Sequence, residues 1–91
     1  MASYSVPKNN LRDQRETALG WTMQQLVDFA KSKHIQLSTK TLGRVEQGTG
    51  TFARVTLARL LRVVNAARVQ ESLPAINEDE LFPTIKLGKG K

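Results

Sequence analysis

Cysteine is absent from this chain, which excludes a disulfide scaffold, a thiol nucleophile and a thiolate metal site. Aromatic residues are few: Tyr4, Trp21, Phe29, Phe52 and Phe82. Leucine, valine and alanine must therefore supply most of the packing. Proline occurs only as Pro7, Pro74 and Pro83, so long stretches remain open to helix. No apolar run approaches the length of a membrane span, and no signal-peptide core is recognisable. The expectation is a cytoplasmic protein with no membrane partner. No alternation of apolar and polar residues, no internal repeat and no sustained heptad run is present, which argues against strands and coiled coils. The single histidine, His34, lies in a polar stretch. A metal site built from it with Asp28 and Glu46 is rejected, and no nucleophile, base and orienting group can be assembled. The expectation is a non-enzyme without metal or cofactor.

Acidic groups are also scarce. Eight Asp and Glu stand against fourteen Lys and Arg, for a formal charge of +6 over 91 residues. Residues 1–72 hold eleven basic and five acidic side chains, whereas residues 73–91 hold three of each. The positive field thus belongs to the folded part, where it can steer a polyanion. A length of 91 residues suits one domain with one modest core. The expected division is a flexible arm over 1–7, a domain over 8–83 and a flexible basic tail over 84–91.

Five helices are expected. Asn9 or Asn10 caps the first, which buries Leu11, the stem of Arg15, Ala18 and Leu19 and ends at Gly20. Thr22 followed by Gln25 forms a capping box, with Trp21 and Leu26 at staple positions, and opens a second helix that fades near Lys33. Ser38 caps a short third helix carrying Leu42 and Val45, which Gly48 and Gly50 end. Phe52, Val55, Leu57, Leu60, Leu61, Val64 and Ala67 form the apolar face of a fourth. Asn77 caps a last short helix whose Glu78, Asp79 and Glu80 suit its positive end, and Leu81 and Phe82 dock on the core. Gly48-Thr-Gly-Thr lacks the strand, spacing and lysine of a phosphate loop.

A short helix following a longer one across a connector suggests a helix-turn-helix. Gly20-Trp-Thr-Met-Gln-Gln-Leu, Leu37-Ser-Thr-Lys-Thr-Leu-Gly-Arg-Val-Glu-Gln-Gly and Glu80-Leu-Phe-Pro together resemble the lambda-repressor-like, Xre-type DNA-binding family. The resemblance spans about residues 8–83 and implies a compact all-α domain of five helices. It makes Ser38 the cap of a recognition helix over about 38–46. Thr39, Lys40, Thr41 and Arg44 match its base-facing positions. Thr49, Thr51 and Arg54 match phosphate contacts, Gln24 or Gln25 takes over the phosphate contact of a family glutamine that Met23 replaces, and the helix-start amides near Thr22 and Ser38 are natural phosphate sites in their own right. Leu26, Leu42 and Val45 match buried positions, and Glu46 matches an acid that pairs with a first-helix arginine, Arg15 or Arg12. Four features depart from the family pattern. The connector up to Leu37 is long and lacks its turn glycine. Val27 replaces a small residue, Met23 replaces a glutamine, and the first helix is one residue longer. The link over Ala66–Ile76 is also extended, with Val69 and Leu73 facing either a second subunit or their own core.

The chemistry of the residues is consistent with that resemblance. Thr39, Lys40, Thr41 and Arg44 can all donate hydrogen bonds and none is acidic. Arg44 has the fork that suits guanine O6 and N7. Gly43 costs about 1 kcal/mol inside a helix relative to alanine, which fits a close approach to DNA or to a packed helix. The expected function is a transcription regulator, a repressor, that binds double-stranded DNA as a homodimer. The alternative is an antitoxin or other module of the same fold whose main role is binding a protein partner.

Overall fold

In the computed structural model, which describes residues 3–87, the periodic segments become five helices. They are α1 (Leu11–Asp13), continued by a π-helical segment Gln14–Leu19; α2 (Met23–Ser32); α3 (Thr39–Gln47); α4 (Arg54–Gln70); and α5 (Glu78–Leu81). Two dipeptide strands, β1 (Tyr4–Ser5) and β2 (Lys86–Leu87), pair antiparallel with Tyr4 opposite Leu87. The architecture is otherwise all-α.

α4 forms the centre. Leu57, Leu60, Val63, Val64 and Ala67 line its buried side, against Leu26 and Ala30 of α2, Leu42 and Val45 of α3, and Leu81 and Phe82 at the end of α5. Each fully buried Leu or Val contributes about 1.5–3 kcal/mol of apolar burial. That matters most for α3, whose nine residues fall short of the roughly 12–15 that an isolated helix needs. Packing through Leu42 and Val45, both without exposed surface, holds it in place.

The N-terminal segment departs from the flexible arm expected over 1–7. Val6 is completely buried, and Tyr4 exchanges two backbone hydrogen bonds with Phe52, each 2.8 Å long. Asn9 explains why this segment is tied down. Its Nδ2 donates to the carbonyls of Val6 and Val45, both at 2.8 Å, and its Oδ1 accepts from the Leu11 amide. One side chain thus joins the arm, the start of α1 and α3. The C-terminal segment likewise begins with attachments: Thr84 donates its hydroxyl to the Lys8 carbonyl and accepts from the Lys8 amide. Residues 88–91 of the expected tail lie outside the described residues.

Three further expectations are corrected. Phe52 precedes α4 and is buried by its bridge to Tyr4, not by the helix. Val55 is 53 % exposed, because it lies in the first turn of α4, off the stripe set by Leu57, Leu60 and Val64. Arg15 buries its whole side chain, guanidinium included. In the extended link, Asn65 pairs with both backbone groups of Ile76 at 2.8 Å, and Arg68 donates to the Pro74 carbonyl and to Gln14. These bonds fold the link onto its own domain, with Ile76 buried and Leu73 half-buried, while Val69 stays 63 % exposed.

Candidate nucleic-acid interface

The placement of α3 starts with its cap. The Ser38 hydroxyl accepts from the Thr41 amide at 3.1 Å and donates to the Thr41 hydroxyl at 3.1 Å. At the other end Gly48 takes φ +73° and closes the helix. A Cβ on Gly48 would lie 2.4 Å from the Pro7 carbonyl oxygen, so glycine is required there by conformation and by the arm alike.

Between these ends, the residues divide by face. Leu42 and Val45 point into the core. Thr39, Lys40, Arg44 and Gln47 are exposed, and Thr41 and Gly43 are half-buried. The one acidic residue of α3, Glu46, turns inward. Of the two first-helix arginines, Arg15 is the one that meets it: Nε donates to Oε2 at 2.6 Å and Nη2 to Oε1 at 2.9 Å. Both side chains are buried. Arg15 also donates to the Trp21 carbonyl at 3.0 Å. Donation to the Glu46 carboxylate holds the Arg15 guanidinium above its ordinary pKa, against the opposing effect of burial. The π-helical segment makes this fit. It widens the helix after Asp13, so that the Trp21 amide reaches the Arg15 carbonyl at 2.8 Å and Gly20, at φ +71°, turns the chain into α2. Leu11 and Arg15 stay on one inward face, both buried.

The phosphate positions are less uniform. Thr22 and Gln25 form the expected capping box, at 3.1 Å and 2.8 Å, so Gln25 is engaged by its own helix. Gln24 is exposed and donates to Asp28 at 2.9 Å. The box leaves the Met23 and Gln24 amides as the positive end of α2. Thr49 and Thr51 are exposed in the loop after α3, with the Thr49 amide bonded to the Arg44 carbonyl. Arg54, by contrast, is ion-paired with Glu78 and lies over the Tyr4 ring. Arg44 rests over the Phe52 ring, 5.5 Å from its centroid and close to Gly50. A long, exposed side chain in that position can swing outward without disturbing the core.

The connector makes its turn without glycine. His34 takes φ +61°. The His34 amide bonds the Lys31 carbonyl and the Ile35 amide bonds the Ala30 carbonyl, the paired bonds of a Schellman end. Histidine is among the few side chains that visit this region with some frequency. Ile35 then buries itself, while Leu37 and Val27 are half-buried beside it. Val27 and Leu37 both pack against the core that includes Ile35.

Two residues escape a reading of the sequence alone. Gln47 shares the exposed face of α3, a signal available from its i+3 spacing after Arg44. Asn9 reads only as a helix cap, and nothing in the sequence signals its reach to Val45. Gly43 needs no glycine for internal packing: a Cβ there would meet only the Met23 methyl, at 3.8 Å.

Among the described residues no cluster of metal-ligating side chains forms and no helix is long and apolar enough to cross a membrane. No protein-family model, curated protein or solved structure matches the chain.

Proposed function

We propose that this protein is a helix-turn-helix transcription regulator of the lambda-repressor-like, Xre type, which reads double-stranded DNA by placing α3 in the major groove. One observation carries the reading. The exposed face of α3 holds only hydrogen-bonding or cationic side chains, Thr39, Lys40, Arg44 and Gln47, while its sole carboxylate is sequestered by Arg15. A helix fits the major groove, about 12 Å wide, and bidentate arginine–guanine contact contributes about 1–3 kcal/mol of discrimination. The positive ends of α2 and α3 suit phosphate.

The proposed complex is a homodimer on related half-sites, and its occupancy of the duplex represses transcription. The rival reading, an antitoxin built to hold a protein partner, would be favoured by a broad apolar surface over residues 63–76. Val63, Val64, Ala67 and Ile76 are instead buried, leaving Val69 as the exposed large hydrophobic of that stretch. Arg44→Ala tests the groove assignment. It should weaken binding to a preferred duplex by roughly 5- to 150-fold, the equivalent of about 1–3 kcal/mol, and weaken binding to random duplex far less. Equal losses on both would reduce Arg44 to a phosphate contact.

A further inference from the structure

A groove of about 720 Å³ runs under the connector between α2 and α4, and a second of about 390 Å³ adjoins it through His34 and Arg59. Lys31, Arg59 and Arg62 supply their cations, Ser38 and Thr41 supply hydroxyls, and no Asp or Glu lines either one. Apart from Arg44 on α3, the other arginines are engaged by carboxylates or by polar groups. Arg12 pairs with Glu16, Arg15 with Glu46 and Arg54 with Glu78, while Arg68 is occupied by Pro74 and Gln14. Among the described residues Lys31, Arg59 and Arg62 take part in no ion pair. Unneutralised charge is therefore concentrated beside the connector as well as on α3.

The position of this charge relative to α3 bears on its occupant. Ser38 caps α3 and Thr41 lies in its first turn, so the groove opens at the N-terminal end of that helix. Nine helical residues span about 13.5 Å, close to the roughly 12 Å width of the major groove. A helix seated there has a sugar–phosphate strand passing near its end. We infer that the connector groove receives this flanking strand, with Lys31, Arg59 and Arg62 contacting successive phosphates. The inference rests on the DNA-binding reading of α3 and carries the DNA-facing surface along α4 beyond Arg54, to Arg59 and Arg62.

The test is the salt dependence of duplex binding by the full chain and by a Lys31→Gln, Arg59→Gln, Arg62→Gln triple variant. All three positions are exposed, so the melting temperature should be retained. Removing one protein–phosphate interaction flattens the slope of log affinity against log salt by about 0.9, so the triple variant should be flatter by about 2–3. It should lose affinity equally on preferred and random duplexes. A charge-keeping Arg59→Lys, Arg62→Lys variant should keep the wild-type slope. An unchanged slope in the triple variant, with wild-type chain binding normally, overturns the inference and leaves the α3 reading intact. If the slope is unchanged but the triple variant loses a stabilisation that inorganic pyrophosphate gives the wild type, the groove holds a small anion instead. A wild-type chain that binds no duplex overturns both.

Discussion

Arg15 and Glu46 decide the orientation of α3. Their pair is bidentate and buried, and removing one partner strands the other charge in the core. Arg15→Met should therefore cost about 3–5 kcal/mol, measured by denaturant unfolding, whereas Arg15→Met with Glu46→Leu should recover most of that loss. A double variant as unstable as the single one would mean that the pair does not act as a unit. Because the Arg15 pKa is raised, its contribution is present below the ordinary arginine range and is lost only as pH rises through the folded value; neutral and mildly alkaline solutions leave it intact. Gly43 provides a second test. With only the Met23 methyl nearby, Gly43→Ala should stabilise the fold by about 1 kcal/mol and yet weaken DNA binding, since the added methyl lies on the approach surface. Thermal melting and duplex titration of one variant check both; stability gained with affinity unchanged would remove Gly43 from the interface. The family resemblance offered Arg15 or Arg12 as the Glu46 partner. It did not show that the guanidinium would be fully buried, because that depends on the π-helical turn and on the Trp21 carbonyl, which spacing cannot reveal.

At the scale of elements, capped helix starts left a clear trace in the sequence. Thr22, Ser38 and Asn77 each cap the helix that follows, and Thr22 and Asn77 do so in full boxes with Gln25 and Glu80. A cap is a local interaction between residues three apart, so its pattern survives in the sequence. Ends made with glycine, Gly20 and Gly48, were equally plain. The end of α2, expected near Lys33, falls there, but neither α2 nor α4 ends on glycine: His34 and Ser72 occupy the left-handed region in its place, at φ +61° and +63°. His34→Gly should therefore stabilise the protein by about 0.5–1 kcal/mol, relief of left-handed strain outweighing the entropy that glycine adds to the unfolded chain. A lower melting temperature would show that the imidazole makes a contact the turn depends on. The arm over residues 4–6 was illegible for a different reason. Its order comes from Phe52, Asn9 and Gly48, residues distant in sequence, and no periodicity records such contacts.

For the whole molecule, charge is partitioned by surface. Carboxylates neutralise the arginines of α1 and of the start of α4, while α3 and the connector groove keep their cations unpaired among the described residues. Net charge was readable from composition, but its partition required the fold, since Arg54 has the Glu78 carboxylate within reach and Arg59 is in no ion pair among the described residues. The exposed ion pairs, such as Arg12–Glu16, contribute about 0–1 kcal/mol to stability; their larger effect is to set which surface attracts a polyanion. That surface is the central claim, and selection from a pool of random duplexes, with sequencing of the bound fraction, tests it most directly. Enrichment of a defined motif in two related half-sites, about 34–36 Å apart or a multiple of that spacing, is the predicted result. A bound fraction with the same sequence distribution as the starting pool would contradict it.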